Sequence, residues 1–315
     1  MKKFLFFILL IPFVFGCKNV KEEEKTCPGY LLEPVAQTTA DLKTPESVLY
    51  CPKGDFLFVS NINGQPLEKD NNGFISKIDT NGNIIELKWV EGLNAPKGMG
   101  IANGKLFVTD IDQLVIIDID SAKIIETIPV ENAKFLNDIA IDNNNNVYIT
   151  DSNNDLIYKY NQDSVVVFAQ GLKGANGLYI DQDSLLYVGC SDRLALINLN
   201  NAQVETVVEV NSKMIDGLKR VCFRKLKFIT TDWYGTTYLL NITDNQIDTL
   251  LYFADEKKNT ADVEFIAKNR LVFVPTFFSN TVEIYKLKHK GGGEHEHDHE
   301  HEHEHEHEHE HKHEH

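Results

Sequence analysis

The chain has 315 residues and a formal net charge of -16, with hydrophobic residues at 42% and aromatics at 10%. That apolar content suffices for a folded core, which excludes wholesale disorder, and no cluster of Lys and Arg offers the stripe that a nucleic-acid partner requires. The charge is uneven: Glu294 to His315 hold ten acids against one lysine, so more than half of it sits in that last segment.

At the start, Lys2 and Lys3 precede an apolar run from Phe4 to Phe15. Such a run is too short to span a bilayer and reads as an export signal over residues 1–16. The junction Val14-Phe15-Gly16-Cys17 resembles a bacterial lipobox, with Phe15 replacing the usual small residue. The resemblance implies a lipidated Cys17, membrane contact through the lipid, and a place on the bacterial cell envelope, either periplasmic or at the cell surface. Residues 17–28, with an acidic run of three consecutive glutamates balanced by Lys18, Lys21 and Lys25, then form a tether. Export permits disulfides among Cys27, Cys51, Cys190 and Cys222 in any of three connectivities, and buried free thiols fit equally well. There is no C-x-x-C spacing to suggest a zinc-thiolate site.

From residue 29 to 288 one motif recurs: an aromatic residue, a β-branched residue, then a small or hydroxyl-bearing one or proline. Its six copies are Phe58-Val59-Ser60, Phe107-Val108-Thr109, Tyr148-Ile149-Thr150, Tyr187-Val188-Gly189, Phe228-Ile229-Thr230 and Phe273-Val274-Pro275. They lie 49, 41, 39, 41 and 45 residues apart, a period that signals a repeat architecture. A second alternating strand often follows, as in Leu156 to Tyr160, and turns such as Asn81-Gly82 and Asn103-Gly104 supply the positive φ that tight hairpins need. No segment has helical periodicity. Four antiparallel strands per unit, repeated six times, predict an all-β, six-bladed β-propeller. An open ring would expose strand edges, so Tyr30 to Val35 is expected to supply the outer strand of the last blade.

About eleven residues before each marker lies the start of a blade's innermost strand: Glu46, Lys97, Asn137, Asn176, Asp216 and Asp262. Side chains there can converge on the axis. All six are polar although apolar strand residues follow them, and the carboxylates and amides among them are hard oxygen donors suited to Ca²⁺, Mg²⁺ or Mn²⁺ and compatible with Zn²⁺.

Pro45-Glu46, Leu136-Asn137-Asp138, Ala175-Asn176-Gly177 and Ile215-Asp216-Gly217 resemble the four metal-ligand signatures of the gluconolactonase and regucalcin family of six-bladed propellers. The resemblance implies Glu46, Asn137, Asn176 and Asp216 as ligands of Ca²⁺ or Zn²⁺, and hydrolysis of a small-molecule lactone or ester. Two residues depart from that pattern. Lys134-Phe135-Leu136 stands where such lactonases often place a sugar-gripping arginine, and Lys97 is unusual on the second blade.

All twelve histidines lie at or beyond His289, so the propeller body has no histidine for a Ser-His-Asp machine or a catalytic zinc site. The expected mechanism is metal-assisted: a divalent cation polarises the carbonyl and activates water, Asp216 is the general base, and Lys97 stabilises the oxyanion. The alternative is a non-catalytic envelope lipoprotein that binds a ligand or partner. Either is read as a monomer.

Residues 289–315 form a disordered His/Glu-rich tail after the glycines Gly291 to Gly293. Its imidazoles, His295, His297, His299, His301, His303, His305, His307, His309, His311, His313 and His315, are candidate ligands for Zn²⁺, Cu²⁺ or Ni²⁺.

Overall fold

The computed structural model describes residues 29–290 apart from 183, 211–214, 223–225, 254–255 and 257. The export signal, Cys17, the tether, Cys27, the side chain of Cys222 and the tail histidines from His295 onward therefore lie outside the described residues.

Six four-stranded antiparallel sheets form the blades of an all-β propeller. Blade one runs Pro45–Cys51, Phe56–Asn61, Gly73–Asp79 and Ile84–Leu93 from the axis outward. The first strands of the other blades are Pro96–Ala102, Leu136–Ile141, Leu178–Asp181, Ile215–Cys222 and Glu264–Ile266, and each abuts the first strand of the next blade around the ring. Blade six takes its outermost strand from the start of the described chain: Tyr30–Gln37 pairs antiparallel with Thr281–His289, Leu32 opposite Leu287. The ring is thus closed by hydrogen bonds between the two ends, which removes a free edge. Asn103 and Gly104 both adopt positive φ, 50° and 72°, in the hairpin that joins the first two strands of blade two.

Six apolar clusters fill the spaces between neighbouring blades. The aromatic markers sit on the second strands, and period-2 alternation sends the ring to one neighbour and the next residue to the other. Phe58 packs toward blade two with Val108, whereas Val59 packs toward blade six with Phe273. Blade five departs from the sequence alignment by one residue. Phe228 packs backward onto Tyr187 of blade four, with ring centroids 4.8 Å apart, and Ile229 faces blade six. Its structural triplet is therefore Ile229-Thr230-Thr231, because a slip of one residue exchanges the two faces of a strand. Cys51 and Cys190 are buried and free, so neither belongs to a disulfide.

Candidate functional site

The mouth of the channel is shaped by one repeated backbone irregularity. In blades one, two, three and five, the ladder between the first two strands skips Glu46-Ser47, Lys97-Gly98, Asn137-Asp138 and Asp216-Gly217. Two residues stand opposite one, which bends the strand and turns side chains that would otherwise follow the sheet's alternation. The single opposing residue is Ser60, Thr109, Thr150 or Thr231, in each case bearing a hydroxyl. Three of these hydroxyls accept the amide freed by the bulge: Ser47 N to Ser60 Oγ at 2.9 Å, Asp138 N to Thr150 Oγ1 at 2.8 Å and Gly217 N to Thr231 Oγ1 at 2.9 Å. Thr109 instead donates to the carbonyls of Gly98 and Asn137, joining blades two and three. Asn176 and Asp262 reach the mouth from just ahead of their strands. Asn176 N bonds Gly189 O at 2.9 Å and Asp262 N bonds Glu46 O at 3.1 Å.

Glu46, Gly98, Asn137, Asp138, Asn176, Asp216 and Asp262 line one narrow cavity, too thin for a water-sized sphere. The four side chains expected as ligands are therefore together. Asp262, one of the six axial positions but outside that set, joins them, and so does Asp138, which the sequence reading gave no role.

Lys97 does not line the cavity; Gly98 takes its place. Its ammonium donates to Pro66 O and Ala95 O, both at 3.0 Å, and lies 4.6 Å from the centre of the Phe135 ring. Those carbonyls anchor the ammonium behind the lining, from where its charge still lowers the pKa of the Glu46 carboxyl.

Glycines let the blades close in on the cavity. A Cβ on Gly98, Gly177 or Gly217 would fall on backbone of the next blade, at Asn137 O, Asp216 O and Val263 N respectively. Where the equivalent residue has a side chain, it crosslinks instead: Ser47 donates to Asp262 Oδ2 at 2.6 Å, and Asp138 Oδ2 accepts Leu178 N at 2.6 Å. Asn176 Nδ2 donates to Asp216 Oδ1 at 2.8 Å.

Electrostatically the cavity is crowded with acid. Burial, and then the charges of Asp216, Asp262 and Asp138, raise Glu46 well above the usual carboxylate range against the pull of Lys97. Burial and Asp262 do the same to Asp138. Asp216 is pushed up to about 7 by burial and by Asp262. Asp262 reaches about 6 through burial, moderated by Lys219 and the Ser47 hydroxyl. Burial also lowers Lys97 to about 8, against the attraction of Glu46 and Asp110.

Among the described residues no three His, Cys, Asp or Glu side chains stand together as a metal cluster. The expected set reaches four donors only by counting the amides of Asn137 and Asn176. Its all-oxygen chemistry and surplus of negative charge fit a hard dication.

The aspartates that follow the second strands are structural. Asp110 accepts the amides of Asn94 and Ala95, Asp151 those of Lys134 and Phe135, and Asp232 those of Tyr234 and Thr236. Asp192 is exposed beside Arg193. The legible signal for the hydroxyl staples was a Ser or Thr immediately before each of these acids, or before Asn61 in blade one.

No protein-family model matches the sequence, and no curated protein matches it. Solved structures match through the fold. A streptogramin B lyase is 12% identical, covering 82% of this chain and 98% of that one, with a TM-score of 0.61. Virginiamycin B lyase from Staphylococcus aureus, as a catalytically inactive histidine-to-alanine variant with quinupristin, is 15% identical over 82% of this chain and 100% of its own, with a TM-score of 0.59. The extracellular domain of a one-component system from B. thetaiotaomicron is 16% identical over 78% of this chain and 34% of that chain, with a TM-score of 0.51. At these identities the likeness is one of fold.

Proposed function

We propose that the axial cavity binds a divalent cation and that the chain is a metal-dependent hydrolase of the lactone or ester type. One observation carries this reading: four buried carboxylates, Glu46, Asp138, Asp216 and Asp262, face one cavity, where burial and then neighbouring acids raise the pKa of Glu46, Asp138 and Asp216, and burial raises that of Asp262. Such a cluster is short of positive charge. Glu46 and Asp216 would hold the cation with their charge, and Asn137 and Asn176 with neutral oxygens, a set that suits Ca²⁺ or Zn²⁺ and also Mg²⁺ or Mn²⁺. When bound, the cation would supply Lewis acidity toward a carbonyl and lower the pKa of a water.

Asp216 is the residue to accept that water's proton. Its carboxylate lines the cavity and can take up a proton from a bound water, and the Asn176 amide fixes its orientation. Ser47 holds Asp262 in turn, which places a second carboxylate against the first. The lyase variant among the neighbours is inactive after a histidine is replaced, whereas this propeller has no histidine from residue 29 to 288. In the reading proposed here the chemistry runs on carboxylates and a cation.

The narrowness of the cavity favours a second reading, in which the propeller binds a ligand without turnover. Both readings place the protein on a bacterial envelope through a lipid at Cys17, as a monomer, with the tail from His295 to His315 collecting Zn²⁺, Cu²⁺ or Ni²⁺. A chain cut after Lys290 keeps every strand of the ring and separates the tail from the axis. Metal analysis of that chain, with turnover on a panel of lactones and esters, tests the hydrolase. Bound metal without any turnover selects the second reading, and a metal-free inert protein removes the first. Titration of the isolated tail with zinc at neutral pH tests the tail.

A further inference from the structure

The cavity is too narrow for a water-sized sphere, so a substrate can meet it only from its mouth. The remainder of any substrate must rest on the rim around it, and part of that rim is apolar.

The rim carries the connections between second and third strands and those leading into each first strand. Ile62, Ala95, Ile111 and Phe277 form one buried cluster with Trp233 packed against it, an arc running from blade five through six and one to two. Trp233, Phe277 and Phe278 stack edge to face, with centroids 5.0 to 6.1 Å apart, and Phe278 remains 63% exposed.

This arc is tied to the cavity through a short segment. Asn259 Nδ2 donates to Trp233 O at 2.7 Å, and Asn259 O accepts Phe277 N at 3.0 Å. Three residues later the same segment delivers Asp262 into the cavity.

A second element flanks the mouth. The connection between the second and third strands spans residues 62–72 in blade one, but only two to four residues in every other blade. Lys97 clamps it through Pro66 O, leaving Leu67 51% exposed. On the third blade Lys134 is exposed, while Phe135 packs beneath the Lys97 ammonium. No guanidinium stands at that point to grip a sugar.

We infer that the exposed ring of Phe278, with the half-buried Trp233 stacked on it and the buried Phe277 behind both, binds an apolar substituent, so that the substrate is an alkyl- or aryl-substituted lactone or ester and not a sugar lactone. That the ligand is a lactone or ester rests on the hydrolase reading; the apolar surface itself does not. Aromatic faces gain from covering apolar surface, whereas polyol hydroxyls would lose hydration without partners.

Trp233 reports on the arc. The other tryptophan, Trp89, is buried in blade one, so Trp89→Phe leaves a single emitter at the rim. In the mature full-length protein carrying that change, δ-dodecalactone is expected to shift Trp233 emission with saturation, and glucono-δ-lactone to leave it unchanged. Phe278→Ala should weaken δ-dodecalactone binding roughly tenfold without altering the melting temperature, because the ring is exposed. Should Trp89→Phe fail to fold, calorimetric titration of the unaltered protein and of Phe278→Ala gives the same comparison. Equal binding of both lactones, no binding of δ-dodecalactone, or an unaffected Phe278→Ala variant would overturn the assignment. Saturable binding lost in Phe278→Ala, with no hydrolysis of δ-dodecalactone in the presence of Ca²⁺ or Zn²⁺, upholds the surface and counts against the hydrolase.

Discussion

The side-chain amide of Asn176 donates to Oδ1 of Asp216 across the junction of blades four and five, at 2.8 Å. The contact joins residues forty positions apart and leaves the other carboxylate oxygen of Asp216 for the cavity, which makes it the most informative place to intervene.

Asp216→Ala should remove the bound dication from protein lacking the tail and lower lactone or ester turnover by two orders of magnitude or more, on the order of a lost general base. Asn176→Ala should retain some metal and lose turnover by roughly tenfold, since it disturbs orientation and one neutral donor. Elemental analysis and initial rates distinguish the two. Unchanged metal content in Asp216→Ala would remove the axial site from the mechanism.

Protein treated with chelator should lose stability as pH rises. Asp216 and Asp262 hold protons to about 7 and about 6 in the fold, against an ordinary value of 3.8. The folded state thus binds more protons than the unfolded one, and the penalty appears above pH ~4 and is complete above pH ~7. We expect the melting temperature to fall on the order of 5 °C from pH 5 to pH 8. Asp216→Asn should flatten that slope, and added Ca²⁺ should reverse it at pH 8. Melting curves in chelator that rise over this interval would contradict the assigned ionisations.

Gly217→Ala should destabilise the propeller by about 1–3 kcal/mol, the usual range for overpacking. The new methyl would fall on the amide nitrogen of Val263, forcing blade six away from blade five. Urea unfolding measures the loss.

Lys97→Met keeps the aliphatic stem and deletes the ammonium that Pro66 O and Ala95 O accept. Limited proteolysis within residues 62–72 should accelerate about tenfold, the scale of losing charged hydrogen bonds from a local closure, while metal content stays unchanged. If turnover collapsed while the loop kept its resistance, Lys97 would be acting on substrate after all.

Much of this was legible in the chain. The recurring aromatic and β-branched pair marked every blade because a buried second strand must send successive side chains to opposite neighbours. The polar strand openings pointed to the axis for a similar reason: apolar residues follow Asn137 and Asp216, so a polar residue at that point is an exception that requires a destination. Blade five misled the reading because Phe228 imitates the marker while Ile229 holds its place, and only packing against Tyr187 distinguishes the two.

Periodicity is a local property. It therefore determined the blade count, the all-β class and the residues that open each first strand. The tertiary structure alone decided that Asp138 and Asp262 share a cavity with Glu46 and Asp216, and that the Lys97 ammonium donates to the carbonyl of Pro66 in the blade-one loop. Convergence and side-chain direction depend on bulges and on how closely blades approach at Gly98, Gly177 and Gly217, distances fixed only when the ring closes.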